Sequence, residues 1–188
     1  MQSCSINMNL IDITGICSKD TIAFVNANTV ANPPVVGNSY WTQLYFSQTL
    51  TKPPQKPDIK ELNGITVNVN VLNKRVIVTP DSNSQPNIEG KYLTGRKLIV
   101  EAEICLKVVY TACEEDQSVH SVHFYVPFSA YIVIPKTITF PDGEILDSQH
   151  VNYLVSPCVE DLFVNQVTLE DIYQNITVLL QATPTLSC

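Results

Sequence analysis

The stretch that decides the fold runs from Leu98 to Thr111 and reads LIVEAEICLKVVYT. Apolar side chains recur at every second position, and in a strand such positions lie on one face of the sheet. The opposite face carries Glu103, Cys105 and Lys107, which predicts a strand with one buried and one more polar side. The buried side is expected to consist of Leu98, Val100, Ala102, Ile104, Leu106, Val108 and Tyr110.

The residues around this stretch predict further strands joined by turns. Residues 112–117 form an acidic loop, and 119–128 alternate again, with Val122, Phe124 and Val126 facing inward, so the two strands pair as a hairpin. Asn63-Gly64 and Asn73-Lys74 are predicted to be turns, because such dipeptides favour tight reversals. Additional strands are predicted at residues 40–50, 65–71, 75–79 and 172–182.

The composition of the 188-residue chain agrees with this pattern. Val, Ile and Thr together supply 55 residues, whereas Ala supplies only 7, and branched side chains fit a pleated sheet better than a helix. We therefore expect an all-β protein, an antiparallel and jelly-roll-like β-sandwich with an extended N-terminal arm. Residues 1–20 are assigned to the arm, 21–183 to the sandwich domain and 184–188 to a C-terminal tail.

The net charge of −7 argues against two classes of partner. Nucleic acids and anionic membranes both require clustered Lys and Arg, and the eleven basic residues here are scattered. Apolar runs stay well short of the roughly 20 residues that a membrane span needs. Residues 1–20 also lack the basic start and apolar run of a secretory signal, so we expect synthesis in the cytoplasm without a signal peptide.

Six cysteines are the least expected feature of such a chain. No pair has the C-x-x-C spacing of a zinc or redox site. Two interpretations remain open: buried free thiols, or disulfides within or between chains. We take Cys4, Cys17 and Cys188, near the ends, as candidate intersubunit cross-links. The other candidates for disulfides are Cys105, Cys113 and Cys158.

Residues of catalytic or metal-binding type are present without a pattern that indicates a site. His120 and His123 are three apart, so in a strand they face opposite sides and cannot share one metal ion. The acidic loop lacks the ligand spacing of a calcium site. The sequence also lacks the G-x-S-x-G motif of serine hydrolases, the H-E-x-x-H zinc motif and the Walker phosphate-binding loop. We expect no catalytic residue, no metal and no cofactor, and hence no enzyme.

Several segments, in the same order and spacing, carry a family resemblance. They read YWTQ (40–43), KPDI (56–59), KRVIVTP (74–80), GRKLIVEA (95–102), VHSVHF (119–124), VPFSAYI (126–132) and VEDLFV (159–164). Together they resemble the SPOCS domain of clostridia and related spore-forming bacteria, over roughly residues 36–183. This resemblance implies a non-catalytic β-sandwich of the spore coat, exosporium or appendages. It also implies synthesis in the mother cell.

Two functions follow as hypotheses. The first is a self-assembling structural subunit of a spore surface layer or appendage filament. Its N-terminal arm would add Leu10, Ile11 and Ile13 to the sheet edge of a neighbouring copy, and disulfides would lock the contact. The second is a monomeric module that recruits a coat protein or a glycan, with Tyr40, Trp41 and Tyr45 stacking on the ligand.

Overall fold

The computed structural model describes residues 11–18, 40–83, 85–140 and 142–185. Cys4, Leu10 and Cys188 lie outside the described residues. Within the described ranges the chain forms nine strands, one short 3-10 turn at Ser148–His150 and no α-helix. The strands are β1 (Asp12–Thr14), β2 (Tyr40–Thr51), β3 (Ile59–Asp81), β4 (Thr94–Ala112), β5 (Val119–Val133), β6 (Thr137–Thr139), β7 (Ile145–Asp147), β8 (Asn152–Gln166) and β9 (Asp171–Thr185).

Two sheets pack face to face around one apolar core. The first sheet has the order β1-β3-β4-β5 and the second has the order β2-β9-β8, while β6 and β7 form a small separate ribbon. Neighbouring strands are antiparallel except β1, which runs parallel to β3. The predicted all-β sandwich is confirmed.

Strand β4 lies in the middle of the first sheet and follows the alternation read from its sequence. Val100, Ile104 and Val108 are fully buried, whereas Glu103 and Lys107 on the other face are partly or largely exposed. Its pairing with β5 is unbroken from Lys97 to Thr111. The hairpin therefore has one face in the core and one toward solvent, as predicted.

The turns predicted at Asn63-Gly64 and Asn73-Lys74 are wrong, because β3 runs through both positions as one strand of 23 residues. The pairing of β3 with β4 shifts between Leu62 and Gly64 and again between Val71 and Asn73. Each shift is a β-bulge, in which an extra residue bends and twists a strand without ending it. Turn-favouring residues such as Asn63 and Asn73 are accommodated at these bulges.

A partly buried ion pair joins the start of β4 to the end of β7. The Arg96 side chain is 9% exposed, and its Nη2 donates to Asp147 Oδ2 at 2.7 Å while Nε donates to Oδ1 at 3.4 Å. The guanidinium also lowers the pKa of the Asp147 carboxyl, with help from the backbone N–H of Gln149. This bidentate pair ties the small β6–β7 ribbon to the main sandwich.

Two buried glutamines differ in how their amide groups are satisfied. Gln166 donates from Nε2 to the carbonyl oxygens of Ile59 at 2.7 Å and Thr168 at 3.1 Å. Gln174, fully buried on β9, has no hydrogen-bond partner for either amide atom in the described part of the chain. A buried polar group without a partner lowers stability, whereas an apolar group of similar shape does not.

We therefore expect Gln174→Met to raise the free energy of unfolding by about 1 kcal/mol. Gln166→Met is the matched control and should lower it by about 1 kcal/mol, since two carbonyl oxygens lose their donor and only one of its amide atoms, Oε1, lacks a partner among the described residues. Urea denaturation of both variants, followed by circular dichroism, measures the two effects. Equal destabilisation by the two substitutions would contradict the prediction.

Candidate functional site

The N-terminal segment closes one side of the sandwich by contacting both sheets. Ile13 pairs with Ile65 of β3 in the first sheet, and Ile16 forms a parallel bridge with Val159 of β8 in the second. The backbone N–H of Cys17 then donates to the Val159 carbonyl oxygen at 2.9 Å. We call this the closed side, formed by residues 11–17 together with the edges of β3 and β8.

The crossing from one sheet to the other takes place at Gly15. Its φ is +98°, a conformation that L side chains rarely adopt, and a Cβ atom there would collide with the Val67 carbonyl oxygen. Only glycine lets the segment approach β3 this closely and then turn toward β8. Sequence reasoning missed this residue, although a glycine between Thr14 and Ile16 in an apolar segment was an available signal.

A disulfide fixes the closed side. Cys17 is bonded to Cys158 of β8, with the two Cα atoms 5.7 Å apart and a sequence separation of 141. Cys17, taken from sequence as an intersubunit candidate, is thus bonded within its own chain in this structure, because β1 leads it directly onto β8. Cys113 is disulfide-bonded as well.

Cys105 remains a thiol on the outer face of β4. Asn70 Nδ2 donates to its Sγ at 3.2 Å, and Sγ contacts Glu103 Oε1 at 3.6 Å. Burial raises the pKa of this thiol, and the neighbouring Glu103 raises it further. A thiol held protonated in this way is a weak nucleophile, so the environment of Cys105 does not favour disulfide exchange.

The donor-arm candidates Ile11 and Ile13 are half-buried against the core of their own molecule. Thr14 Oγ1 adds hydrogen bonds to the Ile65 carbonyl oxygen at 3.4 Å and to Thr66 Oγ1 at 3.0 Å. In this structure the arm adds a strand to the sheet of the same chain. Its addition to a neighbouring copy stays a prediction.

The three aromatic residues predicted to stack on a ligand do not share a face. Trp41 and Tyr45 point outward from β2 and are 55% and 67% exposed. Tyr40 points toward the core, and burial raises its pKa to about 12. Side chains alternate along a strand, so a ligand on the outer face can contact only Trp41 and Tyr45 of the three.

The outer face around Tyr45 is held by polar contacts across the second sheet. Asn175 Nδ2 donates to Tyr45 Oη at 2.8 Å, and Gln43 Nε2 lies 3.0 Å from both carboxylate oxygens of Glu160. These bonds orient the edge strand β2 against β9 and β8. They leave the ring of Tyr45 exposed.

The two histidines lie apart, as their spacing predicts. His120 shares a 2.9 Å hydrogen bond with Ser118 Oγ and stacks on Tyr110, whereas His123 is exposed and stacks on Tyr125. Within residues 11–18, 40–83, 85–140 and 142–185, no three His, Cys, Asp or Glu side chains converge on a point that could hold a metal ion. The same ranges contain no helix long and apolar enough to cross a membrane.

The family comparison agrees with the fold. The family described as SipL, SPOCS domain, matches residues 58–165, which is more than half of the chain and includes all of β3, β4 and β5. No curated protein and no solved structure matches the chain. The chain therefore belongs to the SPOCS-domain family, which gives it a spore-associated role.

Proposed function

We propose that the protein is a structural, non-catalytic subunit of the spore surface that assembles with copies of itself. It is made in the mother-cell cytoplasm and joins a coat layer, the exosporium or an appendage filament. Adjacent copies are linked by sheet augmentation through the N-terminal arm. Disulfides then make the link covalent once the spore meets an oxidising environment.

The observation that supports this proposal is β1, a short strand from the chain terminus that completes a sheet edge. A terminal strand can be supplied equally well by a neighbouring copy, which is the principle of domain swapping. Exchange of residues 11–17 would place Ile13 on the neighbour's β3 and Cys17 on the neighbour's Cys158. All contacts of the closed side would be kept, now between two molecules.

We expect protein from spores, or protein oxidised at high concentration, to give a ladder of multiples of 20.9 kDa on a non-reducing gel. Reduction should collapse the ladder to the monomer, and negative-stain electron microscopy should show filaments or sheets. Cys17→Ala is expected to weaken the ladder, while Cys105→Ala, the matched control, leaves it intact. A monomer on both gels and discrete small particles by microscopy would refute self-assembly.

A second candidate function is a monomeric module that binds a coat protein or a glycan. The exposure of Trp41 and Tyr45 on one face of β2 favours it, because exposed aromatic rings are enriched where proteins bind partners. If this candidate is correct, the protein stays monomeric at all concentrations. It also requires the fluorescence of Trp41 to change on addition of the ligand.

A further inference from the structure

The two sheets present four outer edges, and they differ in how they are protected against pairing with another molecule. Exposed edge strands invite such pairing unless charges, prolines, bulges or covering segments block it. Among the described residues, an edge that lacks this protection is where a further strand can add.

Both edges of the closed side are blocked. Strand β3 carries charged residues and four register shifts along its pairing with β4, and β1 covers part of its outer edge. Strand β8 carries Glu160 and Asp161 at a bulge, and Ile16 and Cys17 cover it there. Neither edge offers a long regular row of free backbone groups.

The opposite side, formed by the outer edges of β2 and β5, is different, and we call it the open side. Phe46 of β2 and Phe128 of β5 meet across it with ring centroids 5.6 Å apart. Neither strand contains a single Lys, Arg, Asp or Glu in its 12 or 15 residues. Strand β5, however, has Pro127 at its centre, which removes one backbone donor.

Among the residues that the structure describes, strand β2 has none of the protective features. It contains no charge, no proline and no glycine, and its pairing with β9 continues without a bulge from Tyr40 to Thr51. Its inward side chains Leu44, Phe46 and Leu50 are only partly buried, although they pack against the core. A strand laid beside β2 would cover the exposed flanks of these side chains.

We propose that the occupant is β2 of a second copy, paired antiparallel about a two-fold axis to form one continuous six-stranded sheet. Like charges placed opposite each other destabilise a strand pair. An uncharged strand avoids this penalty when it pairs with the same strand of a second copy. The same two-fold contact places aromatic and β-branched side chains of the two strands side by side. Such cross-strand pairs stabilise antiparallel sheets.

This inference rests on the proposed self-assembly and adds a second contact to the one made by the N-terminal arm. A two-fold contact closes on itself and gives only a dimer. Combined with a different contact on the opposite side of the molecule, it joins dimers into an open chain. The β2 edge and the closed side lie on opposite sides of the sandwich, as such a chain requires.

Ser47→Lys tests the contact, because Ser47 is exposed on β2. In the proposed dimer each of the two paired β2 strands would then carry a lysine, and the two like charges would repel each other. Ser129→Lys is the matched control, since Ser129 is an exposed serine on β5. In sedimentation velocity of the full chain, we expect Ser47→Lys to weaken dimer formation at least tenfold and Ser129→Lys to change it less than twofold. Thermal melts show whether both variants are folded.

Hydrogen exchange of the unmodified protein gives a second readout that needs no variant. Amides of β2 should become more protected as the concentration rises, while those of β5 should not. The β2 contact would be overturned if the wild type associates, Ser47→Lys does not change that association, and β2 gains no protection with concentration. Self-assembly itself would then remain supported. A wild type that stays monomeric at every concentration would overturn both.

Discussion

Replacing both Cys17 and Cys158 with alanine is expected to lower the free energy of unfolding by about 2–5 kcal/mol. The disulfide closes a loop of 141 residues, three quarters of the chain, and thereby removes a large part of the conformational freedom of the unfolded state. For a chain of this size the loss corresponds to a fall in melting temperature of about 10 °C. Differential scanning calorimetry under oxidising conditions measures it.

Cys105→Ala is the matched control for this effect. The Cys105 thiol is not bonded to another cysteine, so its removal should change the melting temperature by no more than about 2 °C. Reduction of the wild type should have at least the effect of the double variant, since it also opens the disulfide of Cys113. Equal melting temperatures of wild type and double variant would show that the bond does not hold the closed side.

Asp147→Ala is expected to cost about 2 kcal/mol, less than the roughly 3–5 kcal/mol for breaking a fully buried ion pair. The substitution leaves the Arg96 guanidinium, 9% exposed, without its carboxylate partner, while Asp147 itself is one-third exposed. It also removes the acceptor for the backbone N–H of Gln149 at 2.9 Å. Chemical denaturation at pH 7 measures the loss.

The effect of Asp147→Ala should depend on pH in a defined direction. The folded state lowers the pKa of Asp147, so the stabilisation is complete above the ordinary carboxyl pKa near 4 and is lost as the pH falls below it. Wild type and variant should therefore converge in stability in strong acid. Arg75→Ala is the control: it breaks an exposed pair with Glu101 at 3.5 Å and should cost less than about 0.5 kcal/mol at any pH.

The parts of the fold that the sequence predicts are those where one local pattern dominates. The period-two alternation of β4 identifies both the strand and its buried face, because a one-residue slip would expose every apolar side chain. The same pattern in β3 is interrupted at Asn63 and Asn73, and local preference there favours turns. The structure keeps a single strand because pairing with β4 on either side of each bulge outweighs that preference.

The candidate site was less accessible to sequence reasoning, because its parts come from distant segments. Alternation along β2 places Tyr40 on the face opposite Trp41, and that separation could have been read from the spacing alone. The pairing of Cys17 with Cys158 could not, since six cysteines allow fifteen full connectivities and spacing does not choose among them. The contact of Ile16 with Val159 has no local signature at all.

The closed side joins parts of the chain that are far apart in sequence. The hairpin of β4 and β5 closes across a short loop, whereas β1 must find a β3 partner 52 residues away and Cys17 must reach a partner 141 residues away. Because loop closure costs more entropy as the loop lengthens, we expect the closed side to form after that hairpin. Until the N-terminal segment docks, the β3 edge of one chain is open to the same segment of any neighbour, and the two compete. Under the proposed exchange, the concentration at which chains fold would decide between closed monomers and exchanged polymers, and crowded synthesis in one compartment would favour the polymer.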